Sequence, residues 1–292
     1  MQEKTEADYR KLAAYFYKSR LPDQIPSPKK IADALAACAA EYRPAYWLKL
    51  RAALAFDQGE KGYQDAADRL LKLKNPVREK KLPVKAKALR VKAITRSDHG
   101  KLLEALGRDD AATLAAVLLA EYTGVRPAEM LRVRVVDGRV MVIGAKKSHS
   151  GQRGADREIL VAPKVLEQIP VWLEALRSKG DASIAPIQHR LRDACKALWP
   201  TRKAVPTLYT WRHQLGSNLR AAGRSRAEIA YIMGHQSTKS ADQYGDKRTS
   251  KAGALLPRVP DGTDLGRIRQ KHRGAKPSAA PDFGVSDGPR RP

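Results

Sequence analysis

Across a chain whose apolar residues otherwise recur at helical spacing, one stretch changes period: R-V-R-V-V and R-V-M-V-I flank the dipeptide Asp137-Gly138. Alternation at period two on either side of Asp-Gly, a pair suited to the positive φ angles of a tight hairpin turn, predicts two short antiparallel strands. A third strand, R-E-I-L-V from Arg157 to Val161, follows a polar loop containing glycine. The expected fold class is therefore mainly α with a small antiparallel β-sheet.

Helical spacing dominates the rest. Near the start, Ser27 with Pro28 opens a helix placing Ile31, Leu35 and Cys38 on one face, a second starts at Pro44 with Trp47, Leu50 and Leu54, and a third runs through Tyr63, Ala67, Leu70 and Leu71. These predict an N-terminal helical bundle over residues 1–75. From Lys72 to Arg96 the apolar face gives way to basic residues broken by Pro76 and Pro83, which reads as a linker centred on residues 76–92. A second domain over 93–256 then begins helically. Ser97 or Asp98 caps a helix through Leu102, Leu103 and Leu106, and Asp109 or Asp110 opens another through Leu114, Val117 and Leu118. Helices resume over 165–176 and 186–198. Residues 257–292 are basic and rich in Pro, Gly and Ser with few large apolar side chains, and read as a mobile tail or an additional DNA-contacting arm.

The 292 residues include 56 Lys and Arg against 31 acidic residues, a formal net charge of +25 with pI near 10.2. Such a balance predicts a polyanionic partner. Nucleic acid is favoured over an anionic membrane because no apolar run is long enough to span a bilayer and M-Q-E-K-T-E-A-D lacks a signal-peptide core. A soluble, intracellular protein is the expectation. Lys80, Lys81, Lys85, Lys87, Arg90 and Lys92 are the densest part of the charge; a solvated surface explains any such run, but phosphate contact fits this chain better. Cys38 and Cys195 lie in unrelated apolar stretches, which gives neither a disulfide framework nor a zinc spacing, and both read as small core residues.

Three stretches carry candidate chemistry. In T-G-V-R-P-A-E-M, Pro127 suits the first position of a helix, so Arg126 stands at its entrance with Glu129 one turn on to orient the guanidinium. The second is T-L-Y-T-W-R-H-Q-L-G-S, residues 207–217. The third is M-G-H-Q-S-T-K-S-A-D-Q-Y, residues 233–244. Before it, Ser225 and Glu228 form a capping box, and Gly234 is placed to end that helix with His235 just beyond the terminus. Another short helix starting near Ser237 or Thr238 carries Tyr244.

The order T-G-x-R-x-x-E, a lysine in a hairpin region, x-x-x-R-H, G-H and then a tyrosine resembles the catalytic domain of tyrosine site-specific recombinases of the phage-integrase type. It covers roughly residues 89–244. The N-terminal bundle resembles that family's core-binding domain only by position, helicity and charge. The resemblance implies a C-shaped clamp around duplex DNA. It makes Arg126 and Arg212 the pair that grips the scissile phosphate, a job suited to planar guanidinium forks facing developing negative charge. His235 matches a phosphate-contacting or supporting histidine, and His213 the residue after the second arginine. Lys146 matches the general acid toward the leaving 5′ oxygen, with Lys147 as its competitor, and Tyr244 matches the nucleophile. One position departs from the pattern: Tyr209 stands where the family usually has histidine. A phenol donates a hydrogen bond to phosphate but does not shuttle protons near neutrality.

The implied reaction is transesterification through a 3′-phosphotyrosyl link, with no cofactor and no metal, by a homotetramer on paired DNA sites, with accessory DNA-bending proteins as further partners. The expected setting is the cytoplasm of a bacterium, on a phage or other mobile element. Two alternatives stay open: a DNA-binding member of the same fold weakened in catalysis, and a type IB topoisomerase.

Overall fold

Residues 3–22, 27–145, 155–178, 180, 183–241, 249–251 and 253–270 are described by the computed structural model. The chain divides into two compact units, Met1–Ala88 and Leu89–Pro292.

The first unit is built from helices α1 (Glu3–Arg20), α2 (Pro28–Ala37), α3 (Pro44–Glu60), α4 (Gln64–Lys72) and the single turn α5 (Pro76–Glu79). Ser27 caps α2 as its residue type predicts, accepting from the Lys30 amide at 3.3 Å with Pro28 in the first turn. Its core gathers Phe16, Ile31, Leu35, Trp47, Leu50, Leu54, Leu70 and Val77, and the Trp47 indole donates to the Leu35 carbonyl at 2.8 Å.

Several expectations need correction here. The helix α1 was not among the expected segments: its charged, weakly segregated sequence hides an apolar strip in which Ala13 and Phe16 are buried. Tyr63 and Leu71 are exposed rather than on the buried face of α4, because that narrow face is filled by Ala66, Ala67 and Leu70. The stretch assigned to the linker from residue 76 starts with α5, whose Val77 is buried in this core and whose N-cap Asn75 accepts from Val77 N and Arg78 N.

In the second unit α6 (Arg96–Asp109) and α7 (Ala111–Thr123) come first. Thr95, not Ser97 or Asp98, caps α6, accepting from the Asp98 amide at 3.0 Å, while Asp98 inside the first turn pairs with Arg202. Asp110 caps α7 as expected. Because α7 is apolar nearly all round, it is buried through most of its length and packs against α6 and against α9 (Ile169–Arg177), α10 (Ala185–Leu198) and α11 (Leu208–Ala221).

The expected small antiparallel sheet is present, and its strands lie in the order β1 (Val133–Val136), β2 (Arg139–Val142), β3 (Arg157–Ile159). Asp137 and Gly138 both take positive φ, 47° and 70°, which closes the hairpin between β1 and β2. Register sets Val133 opposite Val142, and Val142 opposite Arg157, so Arg157 stands on the same buried face as Val140 and Ile159. A turn of helix, α8 (Pro163–Leu166), precedes α9, so the helix expected over 165–176 is broken into two. The chain then continues through α10 and α11 to α12 (Arg226–Ile232) and α13 (Thr238–Ala241).

The expected tail boundary after residue 256 also needs correction. Arg258 forms an antiparallel bridge with Leu160, Arg269 pairs with Gln236 and Thr238, and Ile268 is 5 % exposed within the core. Sparse apolar residues suffice here because they land on an existing surface. Residues 271–292 lie outside the described residues. Cys38 and Cys195 are free and buried.

Candidate active site

Two glycines shape the place where the three motif stretches meet. Gly124 ends α7 at φ 64°, and a Cβ there would lie 2.7 Å from Leu215 and 3.2 Å from the Met233 sulfur, so only glycine lets α11 approach this turn. Gly234 ends α12 at φ 63°, where a Cβ would sit 2.5 Å from Arg157 Nη1 and 3.1 Å from Arg126 Nη1. The space a side chain would fill is occupied by guanidinium groups.

Around that turn the carbonyls of the last residue of α12 and of the two that follow it are shared out among three arginines. Ile232 O accepts from Arg157 Nε at 2.7 Å, Met233 O accepts from Arg212 Nη2, and Gly234 O accepts from Arg126 Nη2 at 2.8 Å. Arg212 Nη1 donates to the Gly124 carbonyl at the end of α7. Helix C-termini leave carbonyls unpaired and carry partial negative charge, so two of them together solvate a buried cation. Arg212 needs that help, being fully buried.

Among the described residues, Glu129 is the carboxylate hydrogen-bonded into the cluster. Glu129 Oε1 accepts from Arg126 Nη1 at 2.5 Å, while Oε2 accepts from the Arg126 amide at 2.9 Å and from Arg157 Nη2 at 3.0 Å. Burial by itself would raise the Glu129 carboxyl; the charges of Arg157 and Arg126 overturn that and hold it at about 2. Arg157 is lowered to about 10 by burial, against the pull of Glu129. Among the described residues, two guanidinium groups thus pair with Glu129 while Arg212 is held by backbone carbonyls and His235, so positive charge exceeds negative in a largely buried place.

His235 follows Gly234 and sits with its Nε2 3.1 Å from Arg212 Nη2. Since a guanidinium only donates, Nε2 is the acceptor and the ring proton is on Nδ1. Burial, and then the charges of Arg212, Arg126 and Arg157, push the imidazole down to about 2, so it is neutral at any working pH. His213 is half-buried and also lowered, first by burial and then by Arg212, Lys92 and Arg90. Arg90 and Lys92 are therefore close to α11, and the intervening Val91 carbonyl accepts from Thr210 Oγ1 at 2.8 Å. Both basic side chains are exposed.

Of the residues singled out in the sequence, Arg126, Glu129, Arg212 and His235 come together around the end of α12. Tyr209 lies in the first turn of α11, one helical turn before Arg212, and is 42 % exposed. Lys146, its competitor Lys147, and Tyr244 lie outside the described residues. Lys80, Lys81, Lys85 and Lys87 are exposed on the first unit, where Lys85 Nζ donates to the Glu41 carbonyl at 2.7 Å.

Sequence reasoning missed Arg157, Gln214 and Asn218. The signal for Arg157 was present, a charged residue two positions before Ile159 on the core side of β3. Gln214 Nε2 donates to the Thr249 carbonyl, and Asn218 Oδ1 accepts from the Lys251 amide at 2.8 Å, which ties the chain beyond residue 248 to α11.

Among the described residues no group of three or more His, Cys, Asp or Glu is placed to hold a metal, and no helix is long and apolar enough to cross a membrane.

No protein-family model and no curated protein matches the sequence. Solved structures do match. A lambda integrase dimer bound to a COC′ core site is 21 % identical, with 85 % of this chain and 73 % of that chain covered and a TM-score of 0.60. A lambda integrase tetramer bound to a Holliday junction is 19 % identical over 87 % of this chain and 75 % of that one, at 0.59. The Tn1549 transposon integrase in complex with circular intermediate DNA is 13 % identical over 84 % and 90 %, at 0.54. The chain has the fold of the tyrosine recombinases.

Proposed function

We propose that this chain cuts and rejoins DNA as a site-specific recombinase, with Tyr244 as nucleophile. The observation that carries the reading is the gathering of Arg126 and Arg212, from segments far apart in sequence, at one helix terminus where, among the described residues, positive charge exceeds negative. A phosphodiester under attack places its growing negative charge on non-bridging oxygens, and preorganised guanidinium donors stabilise that charge more than the ground state. Neutral His235, its proton on Nδ1, adds a donor without adding charge.

The roles of Tyr244 and Lys146 rest on the sequence motif. The Tyr244 oxygen, giving its phenolic proton to solvent, attacks phosphorus, the bond from phosphorus to the 5′ oxygen breaks, and that oxygen takes a proton from Lys146, or from its competitor Lys147, which solvent then reprotonates. A 3′-phosphotyrosyl link and a 5′-hydroxyl result. Attack by a 5′-hydroxyl from a partner strand reverses these steps and joins the new pair. The link keeps the energy of the broken phosphodiester, so no nucleotide cofactor enters.

The solved neighbours include a dimer and a tetramer on DNA, which supports duplex DNA as partner and an oligomer as the working form. We assign the first unit and the basic residues 80–92 to DNA binding and the second unit to catalysis, in the setting of a bacterial or phage mobile element. The exposure of Tyr209 at the position of the family's histidine favours one second reading, a DNA-binding member of weakened catalysis.

Covalent capture tests both. A library of nicked duplexes of randomised sequence traps the phosphotyrosyl intermediate, because the short 5′ fragment diffuses away. The chain is expected to yield a denaturation-resistant adduct with a defined subset of the library, and Tyr244→Phe to bind that subset with no adduct. An adduct that persists in Tyr244→Phe assigns the nucleophile elsewhere. DNA bound with no adduct from the unaltered chain selects the weakened reading.

A further inference from the structure

We infer that Arg157 is a positioning residue of this site: it acts through Glu129 to hold the Arg126 guanidinium in the geometry that meets the phosphate. The inference deepens the strand-cutting reading and rests on it.

Arg126 is the least buried of the three arginines, with 14 % of its side chain exposed against 1 % for Arg157, so of the three it is the most open to a ligand. Its direction is set by Gly234 O on one side and by Glu129 on the other. Glu129 in turn has two further fixed donors, the Arg126 amide and Arg157 Nη2. Without Arg157 the carboxylate would keep only its local partner, and the Arg126–Glu129 pair could swing together about one turn. With Arg157 the carboxylate is tied to β3, and through Arg157 Nε to the Ile232 carbonyl, so the frame that carries His235 and Arg212 also carries Arg126. Arg157 Nη1 finds no hydrogen-bond partner among the described residues and faces the bare Cα of Gly234. A buried guanidinium so incompletely satisfied adds little to folding compared with an apolar pair of similar volume. Its retention on the core face of β3 fits a role in placing Glu129.

The substrate for the test is the nicked duplex recovered by covalent capture, and the readout is single-turnover adduct formation by the full chain. Amplitude reports the fraction of molecules that are folded and bound; the rate constant reports the active ones. Arg157→Lys keeps the charge but, as a point donor, cannot serve Glu129 and Ile232 O together. It is expected to form adduct about 10²-fold more slowly at unchanged amplitude and DNA affinity, the size of effect that a misplaced reacting group produces. Glu129→Gln should slow the same rate constant. The decisive comparison adds Arg157→Met to Glu129→Gln, which removes the buried guanidinium that Glu129→Gln alone would leave without its carboxylate. If Arg157 acts only through Glu129, this double variant cleaves within about twofold of Glu129→Gln alone, since coupled positions are not additive.

A further fall of tenfold or more in the double variant overturns the inference, as does Glu129→Gln at the parental rate. Loss confined to amplitude assigns Arg157 to folding alone and also overturns it. Failure of the unaltered chain to form any adduct strikes the strand-cutting reading itself, a different result from a parental rate in Arg157→Lys.

Discussion

His235 shows how much a side chain's chemistry is decided by what surrounds it. Burial and three nearby guanidinium groups lower its pKa far below the ordinary value, and the lone pair of Nε2 is already committed to Arg212. It can act as a hydrogen-bond donor but not as a proton shuttle near neutrality. The same shift has a consequence for stability. An unfolded chain binds the imidazole proton near pH 6.5, whereas the folded one resists it, so folding is favoured fully above that pH and progressively less as pH falls toward 5. Melting temperature measured from pH 8 to pH 5 should therefore decline less steeply in His235→Gln than in the parent. Parallel curves would mean that the folded imidazole takes up its proton normally. His213, lowered in the same direction, is common to both proteins and leaves some slope in each. Tyr209 was legible as a departure from the family's pattern, yet its exposure on α11 was not, because helical phase alone does not say how deep a first turn is buried.

Individual elements are capped by the residues that local chemistry favours, with one instructive difference. Ser225 and Glu228 form the capping box of α12 as read from sequence, and Gly234 closes the helix with a left-handed turn. For α6 the sequence pointed to Ser97 or Asp98 and passed over Thr95, although all three are good N-cap types. Thr95 takes the role because its backbone is extended while Asp98, three residues on, donates its amide to Thr95 Oγ1 and turns its carboxylate to Arg202. Thr95→Ala should lower stability by about 1 kcal/mol, whereas Ser97→Ala, on an exposed position, should change it by less than about 0.5 kcal/mol. Urea unfolding of the two variants compares them directly, and equal losses would return the cap to Ser97. The element scale also holds the point on which the site depends: the end of the seven-residue helix α12 and the turn that closes it present three consecutive carbonyls, of Ile232, Met233 and Gly234, to three arginines.

At the scale of the whole molecule the dominant quantity is charge. A net charge of +25 attracts any nucleic acid, and lysines 80, 81, 85 and 87 are exposed on the first unit, Lys85 also donating to the Glu41 carbonyl. Replacing these four by glutamine should weaken binding to all duplexes alike and flatten the dependence of log Kd on log salt concentration, by roughly one unit of slope for each phosphate left without its lysine. Filter binding or anisotropy across about 50–300 mM salt, with the captured duplex and an unrelated one, makes the comparison. Weakening confined to the captured sequence, with the salt slope intact, would show that these lysines read bases.

Periodicity and turn chemistry determined by themselves that the chain is mainly helical with one hairpin-built sheet, because amphipathic spacing and an Asp-Gly turn are local properties. The order of the motifs marked Arg126, Arg212 and His235 as a set only through its resemblance to the tyrosine recombinases, since no local signature links the three stretches. Tertiary structure alone decided which groups neutralise one another. Arg157 and Glu129 are 28 residues apart, and Ile232 is 75 beyond Arg157, so no spacing rule connects them. The helix α1 and the packed segment 255–270 were missed for the same reason: each is weakly apolar in isolation, and each is held by a surface that the remainder of its unit provides. Hydrophobic burial is a property of the assembled surface, and only the fold says where that surface lies.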